Sequence, residues 1–410
     1  MWRTPLPSPA HPPRRTRRFT PRSIIGPVTD LATRPTPGAT ALRRAAPALL
    51  GYAAVRALGL LTLALWSAAR DKSAYTLLTA RWDALWYTRV AELGYGYEVR
   101  LPNGDVHSNL AFFPLLPWLE RLLARATPLS YADAGFVVSL VASLAAAWGI
   151  FAVADHVHGR RAGVCAVLLW AVLPVGIVQS MAYSESLFTA LAAWSLYAVL
   201  TGRWVTAGVL AALAGLTRPV GLAVVAALWA AAIAAHLRDR HTPHATARRA
   251  LGMALAPLGA AAYVLWVGHH TGKGPLGYLD VQAGWRNGFD GGQAFARFVA
   301  DKFTSFPSAL AGVGLIIGVG LVVWLYVVCV RQGQPLPLLV YAGVVTVLAL
   351  CASSYFGSKP RLLLPAFPLL LPLALALARL RRSRSAAVLG VIAVAAALYG
   401  AFWLNGSGPP

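Results

Sequence analysis

Residues 308–330 read SALAGVGLIIGVGLVVWLYVVCV, without a single charged side chain. As a helix rising 1.5 Å per residue this stretch is about 34 Å long, enough to cross the roughly 30 Å of hydrocarbon in a bilayer. Comparable apolar segments recur at 46–69, 134–154, 162–182, 184–202, 204–217, 219–237, 250–268, 336–353, 362–379 and 385–404. Eleven spans in all predict an all-α polytopic membrane protein.

The composition agrees. Of 410 residues 58% are hydrophobic and only 12% are charged, and the mean hydropathy is +0.60. Soluble domains carry roughly 25% charged residues, so a soluble globule is excluded. The net charge of +22 would suit a nucleic-acid binder, but its distribution gives another explanation. Eleven spans force connecting loops to alternate sides, and Lys and Arg concentrate on the cytoplasmic side. With the N-terminus inside, the cytoplasmic segments sum to +18 and the outer ones to +3, the remainder being Arg56 within the first span. The basicity orients the chain, and no nucleic-acid partner is needed. The alternation hinges on 204–217, which is short for a span.

This reading divides the chain into a disordered, basic cytoplasmic tail (1–44, rich in Pro and Arg), a multi-span domain (45–404) and a short C-terminal tail (405–410). Two outer loops, 70–133 and 269–307, are too long to be simple connectors. Within the first, Phe112–Leu123 is apolar but too short to span, which predicts an interfacial helix with Trp118 at headgroup depth. Cys165, Cys329 and Cys351 are isolated in apolar runs, and no His or Cys group has metal-ligand spacing. We expect neither metal nor cofactor.

The first outer loop opens Arg81-Trp82-Asp83-Ala84-Leu85-Trp86-Tyr87 and continues to Gly94-Tyr95. If 82–92 is helical, Asp83 and Tyr87 share one face and Trp82 and Trp86 the neighbouring one. Arg218 sits at a buried turn, where an arginine costs about 2.5 to 3.5 kcal/mol at mid-bilayer and therefore wants an anionic partner. That partner is a phosphate, which its planar fork fits, or Glu185 across neighbouring span mouths, or both. Lys359 and Arg361 form a third cationic turn, suited either to a lipid phosphate or to headgroup contact. His107 and Asn109, just before the interfacial helix, are candidates for sugar hydroxyls. Gly284–Gly292 in the second loop reads as an acceptor-binding, capping or ordinary surface loop.

Four ordered stretches, Arg81–Tyr87 with Gly94-Tyr95, Ala111-Phe112-Phe113-Pro114-Leu115-Leu116-Pro117, Tyr183-Ser184-Glu185-Ser186-Leu187-Phe188 and Leu216-Thr217-Arg218-Pro219-Val220-Gly221, resemble the PIG-V-like mannosyltransferases. The match covers residues 80 to about 225 well and 355–372 more loosely. The resemblance implies a GT-C glycosyltransferase with an extracytoplasmic active site and a polyprenyl-phosphate sugar, usually mannose, as donor. It implies that Asp83 is the catalytic residue. With it we assign Arg81, Trp82, Trp86, Tyr87, His107, Asn109, Glu185, Arg218, Lys359 and Arg361 to substrate binding. The expected setting is the plasma membrane, among its lipids, with a glycolipid or glycoprotein acceptor. A polyprenyl-linked sugar transporter or flippase is the alternative, although the chain lacks an obvious internal repeat.

Overall fold

A computed structural model describes residues 38–238 and 243–406. Most of tail 1–44 and most of 405–410 lie outside the described residues. The first helix, Gly38–Ala68, begins inside the expected tail. There Arg44 meets Asp155 at 2.6 Å and its carbonyl accepts from Arg160, contacts that tie this end to the next cytoplasmic turn predicted from charge.

The chain is a multi-pass helical membrane protein, but the count of eleven full spans is not confirmed. Among the described residues six helices, Thr40–Ala68, Tyr131–His158, Pro219–Arg238, Thr246–His270, Phe306–Arg331 and Arg382–Leu404, are long and apolar enough to cross a membrane. The pair Phe356–Leu362 and Phe367–Arg379, bent by 74°, makes a seventh if taken as one span. Ser184–Leu200, Trp204–Gly215 and Leu336–Cys351 are apolar but shorter. Trp204–Gly215, the shortest of the three, buries one face, Ala207, Gly208, Ala211, Ala214 and Gly215. It packs closely on its neighbours: a Cβ on Gly208 would lie 2.4 Å from the Gly252 carbonyl oxygen, and one on Gly259 would lie 1.8 Å from that of Ala212. Short as it is, it returns the chain to the end where Arg218 meets Glu185.

The expected span 162–182 is broken. Helix Arg160–Ala171 stops, and Gly176–Ser180 continues as a 3₁₀ turn. Pro174 accounts for the break, since it lacks an N–H and disfavours a helical residue before it.

At one end of the bundle lie the long loops. Helix Asp83–Leu93 starts one residue later than predicted, because Trp82 has φ +51° and stands outside it. An antiparallel pair, Glu98–Arg100 with Val106–Ser108, follows. The interfacial helix runs Leu115–Ala126, displaced from 112–123 because Pro114 caps it. Trp118 is exposed, while Leu116 and Glu120 on the opposite face are buried. The second long loop folds back over this end, where Gly288–Phe289 pairs with Ala352–Ser353.

Candidate active site

Asp83 is the first residue of its helix, where the unpaired N–H groups and the helix dipole favour a carboxylate. Its Oδ2 lies 2.9 Å from Nη1 of Arg361, contributed from 278 positions further along the chain. Arg361 Nε lies 3.2 Å from Glu185 Oε1, and the same oxygen lies 2.5 Å from Nη1 of Arg218. Two carboxylates and two guanidiniums thus alternate in one charge-balanced row. Glu185 is buried at its inner end, while Asp83, with 26% of its side chain exposed, opens to the mouth. The pairing of Arg218 with Glu185 predicted from sequence is present.

Residues of the same motifs line the row. Arg218 Nη1 donates to Ser184 Oγ at 3.2 Å, and Ser184 shares a 2.7 Å hydrogen bond with the Tyr87 hydroxyl. Burial pushes the Tyr87 phenol above its ordinary range, so it stays protonated and able to donate. The Arg361 guanidinium lies 5.0 Å from the centre of the Tyr183 ring. Ser184 and Tyr183 were not singled out from sequence. Their signal was adjacency to Glu185, since the start of a helix turns consecutive residues into one mouth.

The remaining candidates divide. Trp86 stacks on Phe112 and meets Trp285 edge-on at 5.0 Å, while the His107 ring stacks on Trp285 at 4.0 Å. These rings form an aromatic wall one helical turn from Asp83. Trp285, from the second long loop, belongs to it too, held by a 3.0 Å bond from Nε1 to the Ser108 carbonyl. Burial and Arg286 hold the His107 imidazole below its usual value against the opposing pull of Asp105.

Four of the assigned residues make their contacts within the chain. Asn109 is fully buried and accepts from the Gly96 N–H while donating to the Gly94 carbonyl; its amide shapes the loop. Lys359 is also buried, and its ammonium donates to the carbonyls of Ala349 (2.7 Å) and Ala352. It caps the end of helix Leu336–Cys351 in place of gripping a phosphate. Arg81 lies over the Trp82 ring at 4.0 Å and donates to the Leu404 carbonyl, and Trp82 packs on the core. This pair fastens the loop to the last helix, and the positive φ of Trp82 takes it out of the helical face expected for it beside Trp86. Among the described residues no three His, Cys, Asp or Glu side chains group as a metal site.

The helical bundle, whose long first loop sets Asp83 at the mouth of a buried cationic cleft, has a GT-C membrane fold. Consistent with that, the crystal structure of ArnT from Cupriavidus metallidurans bound to undecaprenyl phosphate superposes with a TM-score of 0.51 over 83% of this chain and 62% of that one, at 16% identity. Within the class, residues 64–260 match the family model described as Mannosyltransferase (PIG-V), so the resemblance carried by the four motifs stands. Over 155 residues the chain is 32% identical to GPI alpha-1,6-mannosyltransferase 2 of Mus musculus, and over 161 residues 32% identical to that of Rattus norvegicus. These alignments cover 35% and 36% of this chain and 29% and 30% of the relatives, so the chain matches less than a third of their length. Asp83, Glu185 and Arg218 fall inside the matched segment; Arg361 falls beyond it.

Proposed function

We propose that the chain is a membrane glycosyltransferase that moves a sugar, mannose by its family resemblance, from a polyprenyl-phosphate donor to a hydroxyl of an extracytoplasmic glycolipid or glycoprotein. The observation that carries this reading is the row Asp83–Arg361–Glu185–Arg218, with its one half-open carboxylate at the mouth and its two guanidiniums behind.

The chemistry follows from the bonds exchanged. The acceptor oxygen attacks the sugar's anomeric carbon from the face opposite the phosphate. As the bond from carbon to phosphate oxygen breaks, polyprenyl phosphate departs as a stable anion and needs no acid. One base suffices, and Asp83 takes the acceptor's proton. Arg361 and Arg218 receive the phosphate charge. A phosphate reaching Arg361 takes over the donors now turned to Asp83, freeing that carboxylate for the acceptor. Inversion at the anomeric carbon follows from this single displacement. Two guanidiniums supply the positive charge that a metal would otherwise bring, and we propose that the reaction proceeds without one. The charge asymmetry of the sequence supports a mouth on the outer side of the membrane, taken here as the plasma membrane, and an N-terminus in the cytoplasm.

The test is transfer from labelled polyprenyl-phosphate mannose by the purified protein. Wild type should form a glycoside, and Asp83→Asn should lose about 10²- to 10⁴-fold in rate while melting at nearly the same temperature. Full activity in that variant would overturn the assignment of the base, and lipid movement without glycoside would favour the transporter.

A further inference from the structure

The break in the expected span 162–182 exposes backbone carbonyls inside an apolar bundle, where unsatisfied groups are costly. Three of them are met by buried side chains outside the motifs. The Arg56 guanidinium, from the first helix, donates to the carbonyls of Ala171 and Gly176, on either side of Pro174. Gln179 Nε2 donates to the Trp170 carbonyl at 2.7 Å. An arginine within a span demands a reason of this strength.

The same bonds lead to both walls of the cleft. On one side Ser186 Oγ donates to the Gln179 carbonyl at 3.2 Å, fixing the start of the helix that carries Ser184 and Glu185. On the other, Trp170 Nε1 donates to the Leu364 carbonyl at 3.0 Å, and the Leu364 N–H donates to the carbonyl of Arg361. Trp170 is wholly buried, as is Gln179. Glu185 and Arg361, 176 positions apart in sequence, are therefore joined through one internal run of hydrogen bonds centred on the broken helix.

We propose that Arg56, Trp170 and Gln179 are positioning residues, an intramembrane lattice that sets the place of Arg361 relative to the Glu185 turn and so the donor-phosphate site. The inference rests on the proposed function for its ligand but not for its geometry. Without Trp170 Nε1 the turn carrying Arg361 loses its anchor. Without the Gln179 amide the 3₁₀ turn whose carbonyl receives Ser186 is no longer tied to the Trp170 carbonyl, and the Glu185 turn is held less firmly.

Trp170→Phe removes the indole N–H and keeps an aromatic ring. Trp194→Phe is the matched control, because its Nε1 also donates to a backbone carbonyl, that of Ala145, at 3.0 Å, nine residues along the helix from Glu185 and outside the run of bonds that reaches Arg361. Two readouts are needed. Amide hydrogen exchange in detergent, with no donor present, should accelerate around 361–366 in Trp170→Phe and around 182–188 in Gln179→Met, and in neither segment in Trp194→Phe. In the transfer assay, Trp170→Phe should raise KM for polyprenyl-phosphate mannose about tenfold, the equivalent of one hydrogen bond, with a smaller change in kcat, while Trp194→Phe stays near wild type. Equal effects of the two Trp variants in exchange, or an unchanged donor KM when exchange responds, would overturn the lattice. A wild type that binds no polyprenyl phosphate would overturn the functional reading, while the exchange experiment would still decide the lattice.

Discussion

Two of the places where this molecule buries arginine differ in what the arginine faces. At the mouth, Arg361 and Arg218 face carboxylates, Asp83 and Glu185, beside a cleft that is partly open. In mid-bundle, Arg56 faces the carbonyls of Ala171 and Gly176 and the Tyr52 ring, and no carboxylate among the described residues. A guanidinium against a carboxylate can exchange it for another anion with little change in charge balance. One that satisfies the carbonyls of a broken helix cannot turn away without leaving them bare. Lys359, two residues from Arg361, is of the second kind, although it stands at the first kind's end of the molecule. Proximity to the site therefore does not identify a ligand-binding cation; its present partner does.

The sharpest way to break this distinction is Arg361→Lys. A single ammonium cannot span both Asp83 and Glu185, and a buried pair robbed of one partner costs about 3 kcal/mol, so transfer should fall roughly a hundredfold in kcat/KM. Near-normal kinetics would mean that the row is structural. Lys359→Met should behave in the opposite way. It leaves carbonyls without a donor, lowering stability by about 1–3 kcal/mol as read by thermal unfolding, with the donor KM of the folded fraction unchanged. A donor KM that rises instead would return Lys359 to the phosphate site.

The smallest expected effect concerns a buried carboxyl that pairs with no cation among the described residues. Glu120 faces Gly135, where an added Cβ would sit 2.5 Å from its Oε1, and burial pushes its carboxyl well above the ordinary range. A carboxyl raised in the folded state favours folding below its unfolded value near 4.3 and loses that advantage as pH climbs through the raised value. Thermal unfolding of wild type should therefore weaken toward alkaline pH, and Glu120→Gln should flatten that dependence. Identical pH profiles would show that the carboxyl stays solvated.

Much of this was legible in the sequence because membrane physics writes it there. Apolar length marks the helices, since every backbone group in lipid must be paired internally. Arg218 and Glu185 could be paired in advance because both lie at span ends predicted on the same side. The misreadings have one cause. Asn109, Lys359 and Arg81 are polar residues at a functional-looking mouth, and only their hydrogen bonds reveal that backbone carbonyls and amides already occupy them. Likewise 162–182 is apolar enough to read as a span, and the proline that breaks it is a local signal outweighed by composition.

The sequence by itself determined that this chain lives in a membrane, which loops share an end, and that Asp83, Glu185, Arg218 and Arg361 are candidate chemistry. Those are properties of local composition and of charge counted along a line. Only the tertiary structure decided that Arg361 is Asp83's partner, that Lys359 is not, and that Arg56 answers a broken helix. Each of those depends on which side chain fills a particular unsatisfied group across a distance in sequence that no local pattern records.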